Sequence, residues 1–365
     1  MHTSLVYQIA LTLLPGIGPV KAKNLIAYCG SAEAIFKEKK SALLKIPTIG
    51  NMLADSIQAN DLLRLAENEI RFMEVNHILP IFFTDKKYPD RLKACEDSPV
   101  LLFTKGKMDL SVDRVISVVG TRKATSYGKA FCNDLLSGIA HLKPLVVSGL
   151  AYGIDICAHR HAVANKLQTI ACVAHGLEKI YPALHTTVAN EMLSNGGLIS
   201  EFISNTRMTP DLFPMRNRII AGLADCTIVV ETDMKGGSTI TAHLASSYGR
   251  EVFALPGRYM DKYSSGCNAL IKKNIAAIIS SPEDLIQYMN WDATTKPPAR
   301  QMNMFVDLTS DENAVIQLLT SNGKTDIDHL SQYTGFLFSK LSPILLELEF
   351  KGVLKPLPGK LYELV

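Results

Sequence analysis

Three short stretches carry residue types that could do chemistry together. Phe213-Pro-Met-Arg-Asn-Arg218 sets two guanidiniums and an amide, Arg216, Asn217 and Arg218, beside an aromatic ring and a proline at a helix start. Gly120-Thr121-Arg122-Lys123 follows an apolar run and offers a second cationic corner. Lys235-Gly236-Gly237-Ser238-Thr239 opens another helical pattern, with glycines where free N–H groups would lie. Ser148-Gly149 closes a further apolar run. A planar guanidinium forks onto phosphate oxygens, and a glycine-rich helix start presents backbone donors to the same group. These residues suit a phosphate-rich ligand, read here as the backbone of single-stranded DNA, held without chemical change.

Each residue also has a plainer reading. Arg122 either grips phosphate, the favoured reading, or pairs with a carboxylate such as Asp155. Arg216 and Arg218 are two apart and diverge on a regular helix, so one is expected to face DNA while the other is structural. Asn217 caps or bridges backbone. Phe213 either stacks a base or packs beside Pro214. Gly236–Thr239 is an anion site in preference to a plain N-cap, and Lys235 adds charge there. Lys123 and Arg160 are lesser surface candidates.

Other chemistries are set aside. Of Cys157, His159 and His161, only Cys157 and His161 share a helical face, and no fourth ligand lies near, so no metal is expected. His159 reads as a hydrogen-bonded packing residue. Ser148 lacks the Gly-x-Ser-x-Gly surround of a nucleophile elbow. No GxGxxG fingerprint opens the central region and no GxxxxGK[ST] loop occurs, so no cofactor is expected.

The elements that must position these residues form an α/β pattern. Apolar runs at Val115–Val119, Leu145–Ser148, Thr169–Val173, Gly197–Ser200, Thr227–Glu231 and Glu251–Ala254 alternate with helical patterns, and Ala276–Ile279 adds one more. That alternation predicts a parallel sheet whose ligand sits outside the carboxyl ends of its strands. Short strands at Ile78–Phe83 and Val100–Phe103 and a helix over Asp61–Val75 pack onto its edge.

Leu14-Pro-Gly-Ile-Gly-Pro-Val-Lys-Ala-Lys-Asn-Leu25 and Ile46-Pro-Thr-Ile-Gly-Asn-Met-Leu-Ala-Asp-Ser-Ile57 match at an offset of 32 and resemble two helix-hairpin-helix elements. Lys21 and Lys23 flank the first turn. The second has Thr48 in place of the first glycine and no lysine after it. The pair either binds duplex DNA or is a structural unit only. Asn290 to Phe305, with Pro297-Pro298, reads as a linker. Helical patterns at Glu312–Leu319, Ile327–Tyr333 and Ser339–Phe350, then a hairpin over 352–362, make a winged helix. The expected division is 1–79, 80–289, 290–304 and 305–365.

Charge is modest: 38 basic against 35 acidic residues give +3 overall. Residues 1–79 carry +1, residues 305–365 carry −3, and the middle holds the remaining +5. A winged helix at −3 is expected to contact protein or cap the chain in preference to reading a duplex. Seven cysteines without a CxxC pair point to reduced thiols in a cytosol. Met1-His-Thr-Ser begins no signal peptide, and no apolar run reaches the ~18 residues of a membrane span.

Val118-Val-Gly-Thr-Arg-Lys-Ala-Thr-Ser-Tyr-Gly128, Val147-Ser-Gly-Leu-Ala-Tyr-Gly-Ile-Asp155 with Ala158-His159, and the 213–218 stretch resemble successive signatures of the DNA processing protein A family (DprA, also called Smf). Tyr181-Pro182, Ser200-Glu201, Gly236-Gly-Ser-Thr-Ile-Thr241, Leu255-Pro-Gly257 and Gly266-Cys-Asn-Ala-Leu-Ile271 continue them in family order. The resemblance implies an extended Rossmann-like domain that binds single-stranded DNA without a base code. It also implies a cytosolic homodimer, not an enzyme, that passes the strand to the RecA recombinase during natural transformation. Three departures stand out: Ala174-His175-Gly176-Leu177 for a Gly-x-Gly-Leu turn, Asn274-Ile275 for Gly-Ala, and Tyr152 where lysine is common. Two rivals are a lysine-decarboxylase-like phosphoribohydrolase and a scaffold that binds no DNA. The first expects a carboxylate at the Gly236–Thr239 helix start, and no Asp or Glu lies between Asp233 and Glu251.

Overall fold

The computed structural model describes residues 2–47, 49–58, 61–291, 308–357 and 361–364. Thr48, the expected linker from 292 on, and the hairpin tip 358–360 lie outside the described residues. The chain divides into two compact units, Met1–Trp291 and Asp292–Val365.

The first unit is built on one nine-stranded sheet. Its strands are β1 (Leu79–Phe82), β2 (Leu101–Lys105), β3 (Val115–Val119), β4 (Leu145–Ser148), β5 (Thr169–Cys172), β6 (Gly196–Ser200), β7 (Cys226–Val229), β8 (Glu251–Ala254) and β9 (Ala277–Ile278). Their order is β1-β2-β6-β5-β4-β3-β7-β8-β9. From β6 to β9 every neighbouring pair is parallel, and β2 and β1 add an antiparallel edge. Every residue of β3, β4, β5 and β7 is buried. Burial on both faces is why these strands read as unbroken apolar runs and not as alternation. The polar exceptions in β3 and β7, Ser117 and Thr227, meet across the ladder with hydroxyls 2.7 Å apart.

Helices cover both faces. Ser126–Gly138 and Ile154–Ala164 pack Phe131, Leu135, Ala158 and Ala162 against Ile116, Val146 and Ile228. Leu212–Leu223 and Gly237–Ser247 pack Ile219, Ile220, Ala242 and Ala245 against Val119, Val147 and Val229 on the other. Each such buried aliphatic side chain contributes about 1.5–3 kcal/mol over an exposed one. Strand β7 ends at Val229, two residues earlier than the sequence predicts. Backbone bonding to the β3 side runs on past that end, from Val230 N–H to Val119 O at 3.0 Å and from Thr121 N–H to Glu231 O at 2.6 Å, while the Glu231 carboxylate accepts from the Thr125 N–H at 2.9 Å at the start of the Ser126–Gly138 helix.

The N-terminal hairpins precede the helices Pro19–Cys29 and Asn51–Gln58, and a long helix, Asp61–Asn76, leads into β1. These helices share one apolar core with the sheet: Ile9, Leu25 and Ile70 belong to the same cluster as Phe82, Phe103, Val173 and Leu198. Lys23 donates to Glu96 O at 2.8 Å, Ser98 Oγ at 2.7 Å and Cys95 O at 3.3 Å. Lys21 reaches only Gly16 O, at 3.3 Å. One of the two hairpin lysines is therefore spent inside the unit, which favours the structural reading of the repeat.

The second unit has helices Ser310–Asn322, Ile327–Thr334 and Phe338–Phe350. Its strands are β10 (Thr325–Asp326), β11 (Leu354–Leu357) and β12 (Leu361–Leu364), in the order β10-β12-β11. Three helices with a small wing are the winged-helix arrangement. Every lysine among its described residues pairs with a carboxylate: Lys324 and Lys355 with Glu363, Lys340 with Asp311, Lys351 with Glu312.

Candidate nucleic-acid interface

Strand order reverses at β3: its chain neighbour β4 lies on one side and β7 on the other. The crevice outside the carboxyl ends of β3 and β7 is where a doubly wound sheet leaves room for a ligand. A cleft of about 480 Å³ opens there. Val119, Gly120, Thr121 and Arg122 line it from β3, and Thr232, Asp233, Gly236, Gly237 and Ser238 from beyond β7. Phe213, Arg216 and Asn217 close the third side. The three stretches singled out by residue type thus converge on one site.

The rim is open and sparsely bonded. Arg122 is exposed, and its guanidinium lies 5.6 Å from the centre of the Phe213 ring. Among the described residues it makes no ion pair. Phe213 is half-buried and also faces Tyr181, with ring centres 6.4 Å apart and planes tilted by 57°. Phe213 thus packs against Tyr181 and lines the cleft beneath the Arg122 guanidinium. Gly237 is exposed and stands at the first turn of the Gly237–Ser247 helix, with open space where a side chain would project. Ser238 beside it is buried, and its Oγ has no hydrogen-bond partner among the described residues. A backbone donor row with an unpartnered hydroxyl beside it is an anion cradle. The first turn of this helix carries no acidic residue, so the carboxylate that the phosphoribohydrolase reading requires is missing.

The arginine pair is buried. Arg216 is only 5% exposed. It donates from Nη1 to Gly149 O at 2.7 Å and to Cys172 O. Arg218 is also buried, donating to Asp97 O and pairing with Glu201. Arg216 borders the cleft and keeps its Nε without a hydrogen-bond partner among the described residues, whereas Arg218 lies outside the cleft lining. The alternative reading of Arg122, a pair with Asp155, is not formed among the described residues. Asp155 lies buried beside Gly149, within Coulombic reach of Arg216, and accepts from the Ala151 N–H at 3.4 Å. Burial pushes its carboxyl above the ordinary range, and the Arg216 charge draws it back. Glu201 is likewise raised by burial and opposed by Arg218.

Ser148 and Gly149 also sit in the floor. The Ser148 hydroxyl donates to Val118 O at 2.6 Å, so it locks β4 to β3 and is not offered to a ligand. A side chain at Gly149 would collide with both Arg216 and Asp155. The loop above depends on Gly153, at φ 80°, where any Cβ would strike the Thr121 carbonyl and the Arg122 backbone. That contact carries the Ile154 N–H to Thr121 O at 3.1 Å and sets the height of Arg122 over the cleft.

The remaining candidates scatter around the site. Lys123 and Lys235 are exposed near the rim, outside the cleft lining. Thr239 bonds its own helix, Oγ1 to Gly236 O at 2.6 Å. Asn217 is half-buried in the cleft wall. His159 is fully buried with Nδ1 2.8 Å from Thr169 Oγ1, and burial holds its pKa down to about 3, with the His185 and Arg216 charges adding to the effect. No cluster of metal-ligating groups occurs among the described residues. Residue-type reasoning did not place Tyr181, Thr232, Asp233, Ile240 and Thr241 in the cleft wall. Tyr181, Ile240 and Thr241 left a signal, as parts of the Tyr181-Pro182 and Gly236–Thr241 motifs.

Comparison with known proteins follows the same lines. Residues 80–290 match the family described as DNA recombination-mediator protein A, and residues 296–360 match the DprA winged helix domain. A DNA processing protein DprA of Bacillus subtilis is 38% identical over 69% of this chain and 90% of its own. The structure of DprA from Streptococcus pneumoniae is similar at TM-score 0.68 and 29% identity, covering 77% of this chain and 97% of that one. A Helicobacter pylori DNA processing protein A structure, described for its single-stranded DNA binding mode, is similar at TM-score 0.53 and 28% identity, covering 59% and 96%.

Proposed function

The chain belongs to the DNA recombination-mediator protein A family, and from that premise we propose that it binds single-stranded DNA in the cleft and performs no chemistry on it. The observation that carries this reading is the rim: an exposed guanidinium without an ion pair, stacked over Phe213, opposite a helix start with an unpartnered hydroxyl. Phosphate contacts position a strand without reading it, and a stacking ring accepts any base. Asp155 and Glu231, the buried carboxylates nearest the cleft, are engaged by Arg216 and Thr125, so neither is poised as a general base.

The proposal extends to the role. The protein receives a strand entering the cell during natural transformation, shields it, and passes it to RecA as a cytosolic homodimer. The four-part division at 79, 289 and 304 belongs to the same proposal. The paired lysines among the described residues of the winged helix support a protein-facing or capping role for that unit.

The test is Arg122→Ala on the full chain, titrated against a dT oligomer at several salt concentrations. Affinity falls about tenfold, as loss of one charge-assisted phosphate fork implies. The slope of log affinity against log salt falls by about 0.7 for the lost phosphate contact. An unchanged affinity and slope would sink the assignment of the site.

A further inference from the structure

A second groove lies beside the cleft, of about 570 Å³, lined by Tyr127, Pro256, Gly257, Arg258 and Asp261. It is a built surface. The Tyr127 hydroxyl donates to Pro256 O at 2.8 Å, which pins the ring while half of it stays exposed. Asn268 clamps the opposite wall, donating to Gly257 O at 2.9 Å and accepting from its N–H at 3.2 Å. Arg258 is exposed and, among the described residues, makes no ion pair. Tyr259 and Met260 follow it, 88% and 77% exposed, with no part in a core.

The groove is continuous with the cleft through one loop. Lys262, on the loop that carries Arg258, reaches the cleft-lining Asp233 at 3.7 Å. The Thr232 N–H in the cleft wall donates to Tyr263 O of that loop at 2.7 Å. Lys123 stands on the segment between Arg122 and the Tyr127 helix. Three cations, Lys123, Arg258 and Lys262, therefore mark the way between the two depressions. Asp233 and Asp261 are the carboxylates along it, and Lys262 already screens the first.

We propose that this groove is a second station for the same single strand, taking a base on the Tyr127 ring and the adjoining phosphate on Arg258. The inference rests on the strand-binding reading of the cleft and adds a path out of it. A pinned aromatic face with a cation beside it is how sequence-tolerant grooves hold successive nucleotides. Arg258, without an ion pair among the described residues, favours an anionic ligand over an uncharged one, and the half-exposed Tyr127 ring beside it favours a nucleotide strand, which has bases to stack, over an acidic protein segment.

The test uses the full chain and two dT oligomers, of about 4 and about 16 nucleotides, the first filling the cleft alone and the second able to reach the groove. Tyr127→Ala lowers affinity for the long oligomer about tenfold and leaves the short one unchanged. Tyr127→Phe, which keeps the ring and loses the hydroxyl, stays within twofold of the unaltered protein on both. Arg258→Ala lowers the salt slope by about 0.7 on the long oligomer only. Equal affinities of all variants for the long oligomer overturn the proposal, and so does an equal loss on both lengths, which would report a disturbed fold. Failure of the unaltered protein to bind either length overturns the underlying reading with it. Normal binding of both lengths with silent Tyr127 and Arg258 variants overturns this step alone.

Discussion

Arg122 and Arg216 both border the cleft, yet they belong to different economies of interaction. Arg216 is buried, bonded to two carbonyl oxygens and set against Asp155. Arg122 is exposed and leans on an aromatic ring. A guanidinium bonded to wall carbonyls, even with its Nε unpartnered among the described residues, holds the walls together. One with no such bond is the part a phosphate can use. Arg216 therefore supplies the floor, and Arg122, on a short loop bounded by Gly120, supplies the rim with Phe213.

The largest expected effect falls on the floor. Arg216→Ala strands Asp155 in a buried site, and breaking such a pair costs about 3–5 kcal/mol. Urea unfolding should show that loss, while Arg122→Ala should stay within about 0.5 kcal/mol of the unaltered protein. Equal stabilities for the two variants would erase the distinction between floor and rim.

Acid should act on the floor next. His159 refuses a proton in the folded chain until about pH 3, against an ordinary value of 6.5. The unfolded chain takes that proton near 6.5. Stability from this group is thus complete above 6.5 and is lost as pH falls toward 3, by about 2 kcal/mol at pH 5. Urea midpoints at pH 7 and 5 measure it, and His159→Gln should flatten the difference. A pH-independent midpoint would show that the ring is not sealed from water.

The smallest effects extend the contrast to the first hairpin. Lys23→Ala should cost about 1 kcal/mol, since three acceptors lose their donor. Lys21→Ala should change stability by no more than about 0.5 kcal/mol. A clear loss of duplex binding in the Lys21 variant would restore a nucleic-acid role to the hairpin.

The strands were legible because burial on both faces leaves a continuous apolar run, as in Val115–Val119. The three site stretches were legible because each combines glycine or proline with cations at a strand end. Arg216 and Arg218 were not resolvable from their spacing. Helical geometry shows that they diverge, but their partners Gly149, Cys172, Asp97 and Glu201 lie 67, 44, 121 and 17 residues away. Only the strand order β5-β4-β3-β7 brings the first two under the 212–223 helix. Thr232 and Asp233 joined the cleft wall without any local mark.

The shared apolar core of the N-terminal helices and the sheet limits how this protein can be shortened. A chain begun at residue 80 would present Phe82, Phe103, Val173 and Leu198 to water, where Leu25 and Ile70 now cover the same cluster. It would also leave the 95–98 loop without its lysine anchor, and Asp97 of that loop is what Arg218 grips. An amputated sheet that fails to bind DNA would then be reporting adhesiveness and a loosened floor, not the location of the binding site. Point substitutions at the rim are the sounder instrument, because they leave the hidden seam closed.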